Sequence, residues 1–363
     1  MSEAMPEGTQ RVGPVSAVVV NHDGKRYLTA CLEALSELEL DEILVVDNAS
    51  TDGSLELLAQ QHPAVRVVRL EENHGPAAAR NAGMRAARNR WVLALDNDVT
   101  VTPDVLTRLR AAAEAHPAAV LLQPRSVFAS QPDRVHYDGG ALHYAGLIAL
   151  RNFYRPLGEA AGQGATPVDV AISLCLLLDK EIVLEVGGYD DRFFILFEDL
   201  DLSCRLRLAG HGILVVEDAV VRHDAGTPGL SFREGARYPK SRIFYHSRNR
   251  WLFLLQCPRL WTLVLAAPGL LLYEVAWLAF AVTRGGTRAW LAGKWAVLRG
   301  LPETLARRRV VQRTRVRGDR GLWVGGPLTL TPALRGGKLS GLAARVLDAC
   351  LRGWWGLARH LVR

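Results

Sequence analysis

The first hundred residues alternate between short apolar runs rich in β-branched residues and longer stretches with helical spacing. Each apolar run has the length and composition of a buried strand, and a helical stretch follows it. Strands that alternate with helices form a parallel sheet covered by helices. The predicted strands are residues 15–20, 42–47, 65–70 and 91–95, and the predicted helices are residues 27–38, 55–61, 76–88 and one that begins at 102–104.

Polar residues stand directly after these strands. Ligands of parallel α/β sheets bind beyond the carboxyl ends of the strands, so residues at these positions are expected to share one binding edge. Several polar positions at one edge favour a functional site more strongly than any single motif does. The edge contains Asn21, Asp47, residues 73–75 (NHG) and residues 96–98 (DND).

The Asp96-Asn97-Asp98 segment is a candidate cation site. Two carboxylates one residue apart can hold a hard divalent cation together with substrate phosphates. A solvated acidic loop is the alternative, and the position at the ligand edge favours the cation.

Asp47 and Arg80 are candidate ligands of a nucleotide. Asp47 can accept hydrogen bonds from a base or ribose, although Asn48, Ser50 and Asp52 also favour a turn there, and the two roles are compatible. Arg80 lies one turn into the third predicted helix, where a helix N-terminus and a guanidinium can bind an anion. An exposed arginine is the alternative.

The second half of the chain places acids next to an apolar run. Residues 193–197 (FFILF) lead into Glu198, Asp199 and Asp201, which desolvation and charge repulsion oppose. Either the acids mark a helix start, or the protein needs a sheltered carboxylate. Asp201 can pair with Arg205 at i,i+4. The other elements predicted here are strands at 168–178, 212–216 and 220–223, and a helix at 198–209.

These motifs together resemble the family 2 glycosyltransferases of the GT-A fold, in their bacterial rhamnosyltransferase-like branch. The resemblance covers about residues 14–250 and implies an α/β, Rossmann-like, mostly parallel sheet flanked by helices. It is carried by VVVNHDGKRYLTACLEAL, ILVVDNASTDGS, NHGPAAARNAG, LALDNDV, GGYDDRFFILFEDLDLSCRLRLAGHG and VVRHD, in this order.

The resemblance implies a site for a nucleotide-diphosphate sugar, linked to UDP, dTDP or GDP. Asp47 would contact the base, Arg80 would hold the donor, and Asp96 would approach the ribose and the metal. Asp98 would bind Mg²⁺ or Mn²⁺, with His223 as a further metal or phosphate ligand. His22 stands where the family often has Tyr. The predicted donor-binding residues are Asn21, Asp47, Arg80, Asp96, Asn97 and Asp98, and the predicted metal ligands are Asp96, Asp98 and His223.

The same resemblance implies inverting sugar transfer. A cation would neutralise the leaving diphosphate, and Asp199 would be the general base that takes the acceptor proton. Residues 193–197 would exclude water. The expected acceptor-binding residues are Glu198, Tyr189 and Arg248, and residues 226–242 are either a lid over the diphosphate or a solvated loop.

The C-terminal region differs from the rest in charge and hydropathy. Residues 284–363 carry 17 Lys and Arg against 3 Asp and Glu, a net charge of +14, whereas residues 1–283 carry 27 against 34, a net charge of −7. Residues 260–282 are apolar except for Glu274 and also contain Pro268. About 20 apolar residues can cross a bilayer, and a basic region binds anionic lipid. This segment would span, re-enter or lie on the membrane.

The expected organisation is a disordered lead-in (1–13), a GT-A domain (14–245) and a membrane-associated helical region (246–363). It predicts a lipid-linked or glycan acceptor at the cytoplasmic face of the membrane. The polar N-terminus and the scattered cysteines fit a reducing compartment. A soluble acceptor with residues 246–363 as a homo-oligomer interface, or a silent nucleotide-sugar-binding subunit, are the alternatives. A nucleic-acid partner is not expected, because the folded half is acidic.

Overall fold

The computed structural model describes residues 12–224, 238–329 and 338–363. Most of the predicted lead-in and most of the predicted lid lie outside these ranges. The chain divides into two compact units. Among the described residues, the first unit contains 12–139, 151–206 and 211–224, and the second contains 140–150, 207–210, 238–329 and 338–363.

Thirteen strands are present in the described ranges. They are β1 Val15–Asn21, β2 Glu42–Asn48, β3 Arg66–Leu70, β4 Trp91–Asp96, β5 Val99–Val101, β6 Ala119–Phe128, β7 Gln131–Tyr137, β8 Gly140–His143, β9 Leu147–Leu150, β10 Ala165–Pro167, β11 Cys175–Asp179, β12 Gly212–His223 and β13 Trp323–Val324.

Eleven α-helices accompany them in the same ranges. They are α1 Lys25–Ser36, α2 Ser54–Gln61, α3 Gly75–Ala86, α4 Val105–Ala115, α5 Lys180–Glu185, α6 Glu198–Leu208, α7 Lys240–Gln256, α8 Leu260–Thr283, α9 Thr287–Arg299, α10 Leu301–Thr314 and α11 Lys338–Ala358.

The first unit is built on a ten-stranded mixed sheet of order β10-β12-β6-β11-β4-β1-β2-β3, with β5 beside β12 and β7 beside β6. The four strands predicted from the alternating pattern are parallel neighbours at one side of this sheet. All seven residues of β1 are buried, and its side chains alternate between two apolar layers. One layer includes Leu28 and Leu32 of α1, and the other includes Met84 of α3. The GT-A prediction is therefore confirmed.

Three predicted strand boundaries were wrong. Only Cys175–Asp179 of the predicted strand 168–178 is extended, because side chains bind the backbone before it: Ile172 N–H donates to Gln123 and Ala171 N–H to Ser203. The two strands predicted at 212–216 and 220–223 form one strand, β12, whose pairing with β6 shifts register between Val216 and Val220.

The second unit is mainly helical, with a small sheet of order β13-β8-β9. Within the described ranges, α8 is the one helix long and apolar enough to cross a membrane, and 22% of its most apolar window is buried.

Candidate active site

The strand ends of β1, β2 and β4 bring the predicted donor residues together. The register of the sheet pairs Asn21 with Asp47 and Val20 with Asp96. Asn21 Nδ2 donates to Asp47 Oδ1 at 3.0 Å, and Asn97 Nδ2 donates to Asn21 Oδ1 at 2.7 Å. Neighbouring parallel strands end at one edge, so these contacts follow from the positions of the polar residues in the sequence.

Asp47 is 1% exposed, and both of its carboxylate oxygens accept hydrogen bonds from the protein. Oδ2 accepts from the backbone N–H of Ser50 at 3.1 Å, which confirms the turn that the sequence offered as an alternative. Asp52 accepts from the backbone N–H groups of Ser54 and Lys25, and so holds the starts of α2 and α1. The contact of Asp47 with a nucleotide stays a prediction.

Arg80 lies on α3 and is 3% exposed. Its Nη2 donates to Asp96 Oδ1 at 2.5 Å, and its Nη1 is 3.8 Å from Glu198 Oε1. The ring of Tyr189 lies 5.7 Å from the guanidinium. Its Nε and Nη1 have no hydrogen-bond partner among the described residues. A buried guanidinium with unpaired N–H groups is suited to an anion.

The N-terminus of α6 presents Glu198 and Asp199. Asp199 Oδ1 accepts from the backbone N–H of Ser173 at 3.1 Å. Burial raises the pKa of Glu198 to about 8, with the charge of Asp199 adding to the effect and Arg80 opposing it. Burial also raises the pKa of Asp199, against the charge of Arg80 and the bonds from Ser173. The site therefore favours a proton on Glu198 at neutral pH.

The apolar run before α6 is a strained loop. Phe194, Leu196 and Phe197 have φ values of 60°, 69° and 74°, in the left-handed region that such residues rarely adopt. Gly75 has φ 82°, and a Cβ there would lie 2.4 Å from the carbonyl oxygen of Phe194. Strain of this kind persists only where the surrounding structure imposes it, and it clusters at functional sites.

Asp201 is structural, as the sequence predicted. It is fully buried, and Arg205 Nε donates to its Oδ2 at 2.8 Å across one turn of α6. Arg205 also donates to the carbonyl oxygens of Val186 and Gly188, which fixes α6 to the turn before the strained loop.

A histidine pair stands beside Asp98. His223 Nε2 lies 3.3 Å from Asp98 Oδ2, and His223 Nδ1 lies 2.9 Å from Nδ1 of His136 on β7. Burial opposes protonation of His223, but the hydrogen bond and charge of Asp98 raise its pKa above 6.5. Burial and the charge of His223 hold the pKa of His136 well below 6.5. These opposite pKa shifts favour a hydrogen bond in which Nδ1 of His223 donates to Nδ1 of His136.

Sequence reasoning missed His136. No motif surrounds it, and only the hairpin of β6 and β7 brings it to the end of β12. Its ring is enclosed by Phe128, Tyr137 and Phe153, with centroids at 4.1, 3.9 and 6.4 Å. The cluster of aromatic residues was the signal available in the sequence.

The predicted metal ligands are not gathered into one group. Asp98 and His223 lie together, whereas the carboxylate of Asp96 faces Arg80. In the part of the chain that the structure describes, no group of three or more His, Cys, Asp or Glu side chains is arranged to hold a metal.

The predicted acceptor residues occupy different surroundings. Tyr189 is 1% exposed and its hydroxyl is bound to Ser173 Oγ at 2.8 Å, so it supports Arg80 rather than offering a surface to an acceptor. Arg248 belongs to the second unit, where it donates to Asn249 and lies 5.1 Å from the ring of Tyr245. An acceptor contact of Arg248 stays a prediction.

The sequence of this chain is similar to those of known glycosyltransferases. The family model of glycosyl transferase family 2 matches residues 16–183. The N-acetylglucosaminyl-diphospho-decaprenol L-rhamnosyltransferase of Mycobacterium tuberculosis (strain ATCC 25618 / H37Rv) is 29% identical over 251 residues, which cover 61% of this chain and 79% of that protein. The succinoglycan biosynthesis protein ExoO of Rhizobium meliloti (strain 1021) is 37% identical over 118 residues, but the match covers only 32% of this chain and 34% of ExoO.

The fold has a counterpart among solved structures. The crystal structure of S. aureus TarS 1–349 in complex with UDP-GlcNAc aligns with a TM-score of 0.50 at 16% identity, and covers 94% of this chain and 89% of that one. At this identity the likeness concerns the fold alone. The sequence match, the GT-A sheet and the polar edge of that sheet place residues 16–183 of this chain in glycosyltransferase family 2.

Proposed function

We propose that the protein is an inverting, cation-assisted glycosyltransferase that moves a sugar from a nucleotide diphosphate to a hydroxyl group of a lipid-linked acceptor at a membrane surface. The observation that carries the proposal is the buried Arg80, which has unpaired N–H groups beside the carboxyl groups of Asp96 and Glu198. The name of the mycobacterial relative describes a lipid diphosphate acceptor, which supports this acceptor class.

In this proposal Arg80 binds the donor diphosphate. A buried donor without a partner costs about 1–3 kcal/mol, and a phosphate oxygen would remove that cost. Asp96 holds the guanidinium in place at 2.5 Å, and Tyr189 supports it from one side. Asn21 and Asn97 link the strand ends around the donor.

Asp98 and His223 would hold a divalent cation with the donor phosphates. A carboxylate oxygen and an imidazole nitrogen 3.3 Å apart fit Mn²⁺ well, because Mg²⁺ prefers oxygen ligands. His223 would lose a proton from Nε2 when it binds the metal, and the hydrogen bond to His136 would orient its ring. When bound, the cation would neutralise charge on the leaving diphosphate.

Asp199 would accept the proton of the attacking hydroxyl. Its Oδ1 is held by Ser173, and its raised pKa makes it a stronger base than an exposed carboxylate. A protonated Glu198 beside it would donate a hydrogen bond to the acceptor instead of repelling Asp199. The half-buried side chains of residues 194–197 would limit hydrolysis of the donor.

The test uses Asp199→Asn with Asp218→Asn as its control, since Asp218 is an exposed partner of Arg108 on the surface. Thermal stabilisation by UDP-, dTDP- and GDP-sugars with Mn²⁺ identifies the donor, and transfer is then measured to a polyprenyl-diphosphate sugar. We expect Asp199→Asn to lose about 10²–10⁴-fold in rate and to retain donor binding. Wild-type turnover in this variant would refute the assignment of the base, and a product with retained anomeric configuration would refute inversion.

A further inference from the structure

The second unit contains a cavity of about 580 Å³ between residues 319–326 and the end of α11. It plays no part in the site described above. Arginine and histidine side chains line it together with two tryptophans and several glycines. The residues that matter for its chemistry are Arg320, Trp323, Arg352, Trp355, Arg359 and His360.

The cavity carries a net positive charge. The exposed side chains of Arg320 and Arg359 form no ion pair within the described ranges, while Arg352 pairs with Asp348 at 2.5 Å. The acid in the lining, Asp319, is 1% exposed, and its carboxylate is already bound by Arg315 and by the hydroxyl of Thr262. Two guanidinium charges are therefore left for an anion.

The wall of the cavity is firmly built. Trp355 stacks on Tyr144 with centroids 4.4 Å apart, and its Nε1 donates to the carbonyl oxygen of Trp323 at 2.9 Å. The indole N–H of Trp323 is buried and has no acceptor in the part of the chain that is described. A Cβ on Gly325 would lie 2.9 Å from Cβ of Trp355, so glycine is needed for this close approach.

Exposed apolar side chains continue from the cavity. Leu357 and Leu361, next in sequence to its lining, are 74% and 60% exposed. Trp261 Nε1 donates to the carbonyl oxygen of Leu361 at 3.0 Å, which joins the start of α8 to this surface. Leu260 and Trp261 are 67% and 50% exposed there. A basic cavity bordered by exposed leucine and tryptophan matches the boundary between headgroups and acyl chains of a bilayer.

We propose that this cavity binds the phosphate headgroup of an anionic bilayer lipid, with Leu260, Trp261, Leu357 and Leu361 inserted beside it. Arg320 and Arg359 pair with the phosphate oxygens, because guanidinium groups bind phosphate in bidentate geometry. The inference rests on the membrane location in the proposed function and adds a defined lipid site to it. It does not depend on the chemistry at Asp199.

The decisive comparison is Gly356→Leu against Gly353→Leu. Both glycines lie on α11 with no atom within 4 Å of a Cβ, but only Gly356 lines the cavity. Each variant replaces one glycine by leucine and leaves the charge of the protein unchanged. With vesicles of phosphatidylcholine containing 30 mol% phosphatidylglycerol, we expect sedimentation assays to show about tenfold weaker binding for Gly356→Leu and wild-type binding for Gly353→Leu.

A charge-matched pair gives the second arm. Arg320→Gln with Arg359→Gln should weaken binding more than Arg313→Gln with Arg345→Gln, which removes the same charge from exposed positions outside the cavity. Equal losses in the two pairs, or equal binding by the two leucine variants, would overturn the lipid site and leave membrane binding intact. If the wild-type protein binds neither these vesicles nor vesicles of pure phosphatidylcholine, the membrane location is refuted as well. Thermal stabilisation by glycerol phosphate that Gly356→Leu abolishes, without vesicle binding, would assign the cavity to a soluble phosphate and overturn the proposal.

Discussion

Glu198, Asp199 and Asp96 lie around Arg80, with Glu198 buried and the two aspartates half-buried. A single guanidinium cannot balance three carboxylates, and burial penalises every charge that is left over. The consequence is a pKa of about 8 for Glu198 and about 6 for Asp96, in each case with burial as the main cause and Arg80 as the opposing charge. Glu198 therefore holds a proton at neutral pH, whereas Asp96 takes one up only as the pH falls through about 6.

Glu198→Gln is expected to flatten the dependence of stability on pH. The pKa of Glu198 is higher in the folded state than in the unfolded state. Its contribution to the free energy of unfolding is therefore fully present below the pKa of the unfolded state, and is lost as the pH rises through the folded-state pKa of about 8. Between pH 6 and 9.5 the free energy of unfolding should fall in both proteins, but by about 1–3 kcal/mol less in the variant than in the wild type. Urea unfolding at both pH values measures this, with the exposed Glu181→Gln as control. Equal losses in wild type and Glu198→Gln would mean that Glu198 titrates like an exposed acid.

At the scale of elements, the start of α3 and the loop before α6 hold each other in place. Gly75 lies against the carbonyl group of Phe194. Phe194 is the first of the three residues in this loop that have a positive φ. Phe193 just before them is fully buried and anchors the loop. The position of Asp199 therefore depends on a glycine more than one hundred residues away in sequence.

Gly75→Ala should displace this loop. Alanine is disfavoured at a φ of 82°, and its Cβ would collide with backbone, so we expect about 1–3 kcal/mol of destabilisation. Transfer activity should fall further than stability alone explains. Denaturant unfolding and transfer assays test this beside Gly158→Ala, where a Cβ meets nothing within 4 Å. A fully active Gly75→Ala would show that the loop does not set the position of Asp199.

The helices of the second unit meet around Glu274. Its Oε2 accepts from Arg250 at 2.7 Å and from the indole of Trp251 at 2.9 Å, and its Oε1 accepts from Trp290 at 3.0 Å and from Lys294 at 2.6 Å. The charge that interrupts the apolar sequence of α8 is thus satisfied by α7 and α9. With 13 residues, α9 is about 20 Å long, too short to cross a bilayer beside α8.

Glu274→Ala should destabilise the second unit by about 3–5 kcal/mol, because it leaves the buried Arg250 without its counter-charge. Glu274→Gln keeps the shape and some hydrogen bonds, and should cost less. Thermal unfolding of the two variants gives the comparison. If Glu274→Ala has the same melting temperature as the wild type, the contacts of Glu274 contribute no net stability.

At the scale of the whole molecule, charge is divided along the chain. The net charge of +14 in residues 284–363 opposes the net charge of −7 in residues 1–283, and exposed apolar side chains occur on α8, α9 and α11. Both properties favour an anionic membrane surface over bulk water.

Binding to anionic vesicles should therefore depend on salt. Raising NaCl from about 0.05 M to 0.5 M shortens the screening length several-fold, so we expect at least about tenfold weaker binding. Flotation of the full chain at both salt concentrations measures this. Self-association that buries the apolar surface, together with no vesicle binding at low salt, would support the oligomer interface instead.

The sequence by itself determined the alternation of strands and helices up to β4, the polar edge of the sheet and the Asp201–Arg205 pair. These depend on periods of two and of three to four residues and on the direction of neighbouring strands, all of which are local. Only the tertiary structure decided that His136 meets His223, that Asp96 faces Arg80 and that Glu274 has four donors. Those contacts join residues far apart in the chain, and the pKa values at the site follow from what buries each group, which no local pattern specifies.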